Sequence, residues 1–537
     1  MTAAPGPAHT THAADNSPFI VGLASHSDLA PGQISTLIDS VVNFLLELKQ
    51  HLPATELIVM MDVNDPVSPA IAAALQALSI SIESLTADAA AALVRRSSLL
   101  LALWDGRSSS VADDTADLVL RFLGVRGAHT QAENCIEIST VANELDVAAR
   151  LVFWIAARRR GDDNTPPSAY YLLSAGDSVL DVQPSMPQSL QRRLADLNEY
   201  NQDFERFSAD SGPQRSASLM RDPAVMLALS DGATVAAIDR QFVKADSLAG
   251  YMQRQSDRLF NLFGITAFTM GVAYLVYDKI TESKALLMFY VLILFVSLLI
   301  FYFFQTKRWF GKYLAYRALA ETLRVRFYLA VAGIDRVQSR ALITLTGISR
   351  FAGFGWICFV LDAIEPVAAN GAAADDNPAL RARLVDQDWI EDQYRYFVRK
   401  VAAMEKHRFW IGRLKNGVFI VVLIVLSVMF MFGGALHDVD ARPGLPLKNV
   451  LTFFSGTLAV VLGVWELRQN KMAVQELLWQ YRNQLSQYQR ARRALQRISS
   501  RSRRDAVLEE LGENSLMEIY LWAIHRYHRE HAPPSAF

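Results

Sequence analysis

The stretch ALLMFYVLILFVSLLIFYFFQT (Ala285–Thr306) carries no formal charge along its whole length. A helix of about 20 apolar residues spans the hydrocarbon core of a bilayer, because each residue adds about 1.5 Å. Three further stretches share this composition: Leu259–Tyr277, Asn416–Leu436 and Asn449–Trp465. The sequence therefore predicts four transmembrane helices.

The connections between these spans are short. Only Asp278–Lys284 separates the first two spans, and His437–Lys448 separates the last two. Basic residues such as Lys307, Arg408 and Arg413 lie at the opposite ends of the spans. Since cytoplasmic flanks carry an excess of Lys and Arg, the sequence predicts two hairpins, with both termini and the long middle segment in the cytoplasm.

Spans one and four each carry small residues at positions i, i+3 and i+7, which share one helix face. They are Gly264, Ala267, Gly271, Gly456, Ala459 and Gly463. Small side chains let helix backbones approach closely. This pattern predicts either tight packing within the four-helix unit or a smooth face that lines a pore between subunits. No span contains an ionisable Asp, Glu, Lys, Arg or His, which disfavours a proton relay in the membrane.

Composition narrows the remaining function classes. A chain of 537 residues is long enough for several domains, and its net charge of −1 disfavours general binding of nucleic acid. The only cysteines, Cys135 and Cys358, exclude a disulfide framework and a cysteine-based zinc cluster. Residues 1–17 lack the basic start and apolar core of a secretory signal, so we predict a disordered tail.

From Pro18 onward, short apolar runs alternate with amphipathic helices, which is typical of a Rossmann-like α/β domain. The predicted strands are FIVGLA (Phe19–Ala24), ELIVMM (Glu56–Met61), SISIESL (Ser79–Leu85), SLLLALW (Ser98–Trp104) and NCIEIS (Asn134–Ser139). This order predicts a parallel sheet with helices on both faces. Ligands of such sheets bind beyond the carboxyl ends of the strands.

The N-terminal segments FIVGLASHSDL (Phe19–Leu29), LLLALWDGR (Leu99–Arg107) and TADLV (Thr115–Val119) resemble the SLOG superfamily of Rossmann-like domains, which sense nucleotide derivatives in bacterial conflict systems. The residues that match the family pattern are His26, Asp28, Leu29, Trp104, Asp105, Gly106, Thr115, Ala116 and Asp117. The resemblance implies that a ligand would touch His26, Asp28, Trp104, Asp105, Gly106 and Thr115. Each of these residues also has a structural interpretation, as a turn cap or a packed side chain.

The chain departs from the family pattern where a phosphate would lie. Ser25 and Ser27 replace Gly and Arg, and Asp113 and Asp114 replace a Gly-Gly pair. A phosphate needs backbone N–H donors that no Cβ blocks, and nearby carboxylates repel it. The sequence therefore favours a structural or protein-contact role, or a divergent ligand, over a retained anionic nucleotide. The glycine-rich signature of the hydrolytic branch is absent, so we predict no enzyme activity, cofactor or metal.

The membrane region resembles a second family. The segments YRALAETLRVRFYLAVAGI (Tyr316–Ile334), WIEDQYRYF (Trp389–Phe397) and ENSLMEIYLWAIHRYHRE (Glu513–Glu530) resemble the SLATT class, the SMODS- and SLOG-associating two-transmembrane effectors. This class is proposed to form pores that depolarise the cell. The resemblance implies an all-α membrane region with long cytoplasmic helices.

Together these patterns predict a domain order. It runs as a tail (1–17), a SLOG-like sensor (18–175), a helical linker or collar (176–244), a first hairpin unit (245–345), a linker (346–385) and a second hairpin unit with C-terminal helices (386–531).

The predicted function is that of a homo-oligomeric, pore-forming effector of an antiphage system in a bacterial inner membrane. A nucleotide messenger or a protein encoded nearby would supply the signal. A membrane-tethered nucleotide-processing enzyme and a constitutive channel or scaffold are the alternatives.

Overall fold

The computed structural model gives the arrangement of most of the chain. It describes residues 16–86, 88–107, 111, 114–124, 138–139, 150–160, 169–174, 180–209, 216–223, 229, 232–334, 343, 346–348, 351, 353–365, 377–442, 445–472 and 474–531. The predicted tail lies outside these residues except for its last two positions, and Asp113 and Cys135 lie outside them entirely.

The N-terminal part contains a mixed sheet. Its strands are β1 (Phe19–Ser25), β2 (Leu57–Asp62), β3 (Ser81–Leu85), β4 (Leu99–Trp104), β5 (Ile138–Ser139), β6 (Val152–Ala156), β7 (Ala169–Ser174) and β8 (Leu180–Gln183). They are ordered β3-β2-β1-β4-β6-β7-β8-β5. Strands β3, β2, β1 and β4 pair in parallel, as predicted, and β6, which was not predicted, pairs in parallel with β4.

The prediction of a wholly parallel sheet is wrong beyond β6. Strand β7 is antiparallel to both of its neighbours, β6 and β8. Residues 175–179 connect β7 to β8, and this connection is too short for the crossover that parallel neighbours require. The sheet is therefore parallel from β3 to β6 and antiparallel on both sides of β7, while the edge strand β5 pairs in parallel with β8.

Helices cover both faces of this sheet. They are α1 (Ile34–His51), α2 (Ser68–Ala77), α3 (Ala89–Arg96) and α4 (Thr115–Leu123). The ring of Phe44 in α1 stacks on Phe153 of β6 at 3.7 Å. The adjacent Val152 belongs to a core with Leu93 of α3 and Phe122 of α4. Because neighbouring strand residues point to opposite faces, α1 lies on one face and α3 and α4 lie on the other.

The remainder of the described chain is mostly helical. Its elements are α5 (Gln188–Ala209), α6 (Gly232–Lys279), α7 (Lys284–Lys307), α8 (Trp309–Ala332), α9 (Ile357–Ala363), α10 (Pro378–Leu384), a π-helical segment (Val385–Glu391), α11 (Asp392–Asp438), the short strands β9 (Asp440–Arg442) and β10 (Leu445–Pro446), α12 (Leu447–Met472), α13 (Val474–Leu495) and α14 (Arg501–His531).

Four helical stretches are long and apolar enough to cross a membrane, which confirms that part of the prediction. They lie within Gly232–Lys279, Lys284–Phe303, Pro378–Asp438 and Leu447–Glu466. Their apolar side chains are largely exposed, for example Met288 at 74% and Phe430 at 92%. Water would not tolerate a continuous apolar surface of this size, so these surfaces suit a membrane protein.

The chain divides into two compact units. The first consists of Met1–Leu248, Ala315–Arg381 and Gly512–Ile524; the second consists of Ala249–Leu314, Ala382–Leu511 and His525–Phe537. The first unit thus takes residues from both sides of the four apolar stretches.

Residues 346–385, predicted as a linker, include the buried helix α9. Phe359 of α9 is 1% exposed, and its ring contacts Phe19 of β1 edge-on at 5.0 Å. Trp356, just before α9, lies against the rings of Tyr200 and Tyr316 at 4.6 and 5.9 Å. This part of the segment therefore belongs to the core of the first unit.

A buried polar network in the first unit involves helix α6. Lys244 of α6 is 2% exposed, and its Nζ donates to Oδ1 of Asn201 in α5 at 2.6 Å. The same ammonium lies over the ring of Tyr200 at 4.5 Å. Asn201 also accepts a hydrogen bond from the backbone N–H of Ser17 at 3.1 Å. Because a buried charge needs partners, this network fixes the N-terminal part of α6 against α5.

Candidate functional site

The candidate site lies where β1, β4 and β6 end. These strands are neighbours and run in parallel, so their carboxyl ends share one edge of the sheet. His26 follows β1, Asp105 follows β4, and Arg159 lies just after β6. The structure thus brings the predicted His26 and Asp105 together.

His26 is a buried imidazole between two carboxylates. It is 1% exposed, with Nε2 at 3.2 Å from Oδ1 of Asp105 and Nδ1 at 3.2 Å from Oδ1 of Asp114. Nδ1 also lies 2.9 Å from Nη2 of Arg159, and a guanidinium can only donate hydrogen bonds, so Nδ1 accepts from Arg159 there. His26 therefore links the end of β4 to the start of α4.

Arg159 is the basic residue that pairs with the acids of this cluster. The sequence analysis did not identify it. Its Nη2 is 3.1 Å from Oδ2 of Asp114, and its Nε is 3.2 Å from Oδ2 of Asp105. Asp28 lies farther away, with Oδ1 at 3.7 Å from Nε. The signal that could have found it is VFWIAARRR (Val152–Arg160), an apolar run that ends in arginines. Arg159 follows strand β6, which the sequence analysis did not predict.

The N-terminus of α4, where a phosphate would be expected to bind, is occupied by the protein's own carboxylate. Oδ1 of Asp114 accepts a hydrogen bond from the backbone N–H of Thr115 at 2.7 Å, so Asp114 caps the helix. The same side chain contacts Arg159 and His26. An anionic ligand would have to displace Asp114 from both the helix end and the guanidinium.

Trp104 and Gly106 have tightly packed surroundings. The Trp104 side chain is buried at 2% exposure, and its Nε1 donates to the carbonyl of Arg107 at 2.9 Å. Gly106 has a φ of +82°, and a Cβ there would lie 3.0 Å from Cζ2 of Trp154. A side chain at this position would be both strained and crowded. Both residues shape the loop, while Thr115 is 2% exposed at the start of α4.

The end of β2 is tied to the end of β1. Ser25, which stands where the family pattern has glycine, donates through Oγ to Oδ2 of Asp65. The other carboxylate oxygen of Asp65 accepts from the backbone N–H of Val67 at 3.1 Å. Burial raises the pKa of Asp65, and these hydrogen bonds only partly offset that effect.

The carboxylate of Asp105 is stabilised by its surroundings. Burial acts to raise its pKa, but hydrogen bonds from His26 and the Arg107 N–H, with the nearby charges of His26 and Arg159, outweigh burial and lower the pKa. A carboxyl group whose folded pKa is lowered adds stability above its unfolded pKa, and this stability is lost as the pH falls through the folded pKa.

We therefore expect Asp105→Asn to reduce the free energy of unfolding of the first unit by about 1 kcal/mol at pH 7. The difference from the unmodified chain should shrink as the pH falls below the ordinary aspartate pKa of about 3.9 and through the lower pKa of Asp105 in the folded chain. Hydrogen exchange of β4 between pH 3 and 7 measures it. Asp39→Asn, at an exposed position of α1, is the control, and a difference independent of pH would contradict the prediction.

The small residues of the apolar stretches lie in different surroundings. A Cβ at Gly271 of α6 would be 2.8 Å from Cγ1 of Val460 in α12, and one at Gly456 would be 3.0 Å from Cδ2 of Leu275. A Cβ at Gly264 would have an ordinary contact of 3.7 Å with Val464. Close approach of α6 and α12 thus depends most on Gly271 and Gly456. Ala267 and Ala459 lie on the same two helices.

Gly463 provides a matched control for Gly271, because a Cβ at Gly463 would have no neighbour within 4 Å. We expect Gly271→Val to destabilise the packing of α6 on α12 by about 2 kcal/mol, since overpacking forces backbones apart. Gly463→Val should change stability by less than about 0.5 kcal/mol. Unfolding of the full chain in mixed micelles measures both, and equal effects would contradict this packing.

Within the described part of the chain, no group of three His, Cys, Asp or Glu side chains is arranged to hold a metal ion. Comparisons with protein-family models, curated proteins and solved structures found no match.

Proposed function

We propose that this chain is a membrane effector of a bacterial antiphage system. In this proposal, the SLOG-like N-terminal domain receives a nucleotide-derived or protein signal and controls a SLATT-like pore that depolarises the cell. The chain would cross the inner membrane as two hairpins, with both termini in the cytoplasm. The proposal includes no catalytic step.

Helix α6 is the observation that carries this proposal. Its N-terminal part, up to Leu248, belongs to the first unit and includes the buried Lys244. The same helix continues to Lys279 and contains the first charge-free span. A change in the packing of α5 against Lys244 would act directly on a helix that enters the membrane. Signal reception and the response are thus joined by one continuous element.

The charge-free spans support passive permeation rather than active transport. They contain no ionisable Asp, Glu, Lys, Arg or His that could relay protons or bind an ion. Four helices enclose little space by themselves, so a conducting pathway requires several copies of the chain. Homo-oligomerisation is therefore part of the proposal.

The carboxylate of Asp114 occupies the N-terminus of α4, and this limits which signals the N-terminal domain could bind. Asp114 holds Arg159 and caps α4, so a nucleotide phosphate competes with a carboxylate already in place. Asp28, whose side chain is 50% exposed, is the accessible member of the cluster. This geometry favours a protein signal that contacts the outer edge, and a nucleotide that displaces Asp114 is the second candidate.

The test records membrane potential in bacteria that express the full chain during phage challenge. Since the first unit includes Ala315–Arg381 and Gly512–Ile524, deletion of residues 19–174 would also expose its remaining core. Point variants are therefore preferable. Gly271→Val, with Gly463→Val as its control, tests whether depolarisation needs the packing of the apolar helices. Arg159→Ala, with Arg160→Ala as its control, tests whether it needs the N-terminal domain.

We expect depolarisation only after challenge, and we expect Gly271→Val and Arg159→Ala to abolish it while the two controls retain it. Depolarisation without challenge that Arg159→Ala leaves unchanged would favour a constitutive channel. An unchanged potential in cells that hold the full chain in the membrane would overturn the effector proposal. Cleavage of a nucleotide by the purified chain would revive the enzyme alternative.

A further inference from the structure

We propose that the segment Lys406–Lys415, which precedes the third apolar span, binds the headgroups of anionic phospholipids. We call this segment the basic flank. This inference rests on the proposed membrane location of the chain, but it is independent of pore formation and of the signal.

The first half of the basic flank is exposed on all sides of α11. Every residue from Glu405 to Trp410 is exposed, although the segment covers more than one helical turn. Farther towards the N-terminus, the same helix packs on α13, where the rings of Phe397 and Tyr488 stack at 5.6 Å. Exposure on all sides of the helix therefore begins where α11 approaches its charge-free stretch, although Glu405 still pairs with Arg482 of α13.

The basic flank carries more positive charge than the neighbouring acids neutralise. Glu405 accepts two hydrogen bonds from Arg482, at 3.0 and 2.6 Å, and Lys415 pairs with Glu466. Lys406, Arg408 and Arg413 have no acidic partner among the described residues. These three cations are on the same side of the span and are available to phosphate groups.

Exposed apolar side chains alternate with these cations. Phe409, Trp410 and Leu414 are 56%, 60% and 69% exposed. The guanidinium of Arg413 lies over the ring of Phe409 at 4.5 Å. Aromatic rings beside cations are typical of the membrane–water interface, where rings enter the apolar boundary and charges stay with the headgroups.

The position along the helix favours a lipid over a free anion. The charge-free stretch begins at Asn416, so Arg413 lies about 4.5 Å along the helix axis from its start and Lys406 about 15 Å. The long side chains of Lys and Arg can reach headgroups over this distance. A dissolved phosphate would use the cations alone and leave the aromatic side chains in water.

The experiment uses the full chain in nanodiscs that contain phosphatidylcholine and phosphatidylglycerol. Enrichment of phosphatidylglycerol around the protein is measured with a spin-labelled lipid. The test variant combines Lys406→Gln, Arg408→Gln and Arg413→Gln. The matched control removes the same charge at exposed positions after the fourth span, through Arg490→Gln, Arg493→Gln and Arg497→Gln.

A charge-preserving variant, with Lys406→Arg, Arg408→Lys and Arg413→Lys, separates lost charge from misfolding. We expect enrichment in the unmodified chain, the control and the charge-preserving variant, and at least a threefold loss in the test variant. Inorganic phosphate at millimolar concentration should not displace the lipid.

Absence of enrichment in the unmodified chain, or equal loss in the test variant and the control, would overturn the lipid proposal. Displacement by inorganic phosphate would assign the site to a free anion instead. Extraction of membranes with alkaline carbonate distinguishes failure of the lipid proposal from failure of the proposed membrane location. A chain released by carbonate overturns both proposals, whereas a retained chain without enrichment overturns only this one.

Discussion

Trp356→Ala is expected to lower the free energy of unfolding of the first unit by about 4 kcal/mol, because removing a buried indole leaves a cavity that neighbouring residues fill only in part. Trp356 is 1% exposed and packs against Tyr200 and Tyr316. Its Nε1 donates to the carbonyl of Gly353 at 2.7 Å, a hydrogen bond that alanine cannot replace. Loss of this side chain should loosen α5 and α8 together.

Hydrogen exchange on the full chain measures this effect without relying on tryptophan fluorescence. Faster exchange is expected in β1, whose Phe19 contacts Phe359 just beyond Trp356. Trp479→Ala is the matched control, since Trp479 is 67% exposed. Equal, small effects of the two substitutions would mean that residues 353–363 do not belong to the core of the first unit.

Arg159→Ala is expected to lower the free energy of unfolding of the first unit by about 2 kcal/mol. This is less than the loss of a fully buried ion pair would cause, because the Arg159 side chain is 34% exposed and water partly screens its charge. The substitution leaves Asp28, Asp105 and Asp114 close together, with His26 as their remaining basic neighbour in the cluster. We therefore expect the loops after β1 and β4 to separate.

The pH dependence identifies the cause of this effect. The charge of Arg159 helps to lower the pKa of Asp105, so the cost of Arg159→Ala should be largest near pH 7 and should fall as the pH drops below the ordinary aspartate pKa of about 3.9. Arg160→Ala, at an exposed neighbouring position, should have little effect at either pH. Thermal unfolding of both variants across this range is the measurement, and a cost that persists at pH 3 would argue for lost packing instead.

The candidate site shows how far sequence reasoning reached. It placed His26, Asp105 and Thr115 at one edge of the sheet because parallel strands end together. It did not find Arg159, since the strand before that residue was not predicted. It treated Asp114 as a repulsive charge, whereas the structure makes it a helix cap and an ion-pair partner. Its role depends on a residue 45 positions later in the chain.

The sequence by itself determined the four apolar stretches and the parallel strands β1 to β4 of the sheet. Both follow from local composition: a charge-free run such as Ala285–Thr306 cannot be covered by a water-soluble fold of ordinary size, and buried strands such as β4 are continuous apolar runs. Only the tertiary structure decided the antiparallel direction of β7, the burial of α9 and the partner of Asp114. These features depend on contacts between residues far apart in the chain. The free energy of such contacts cannot be read from a local pattern of residues.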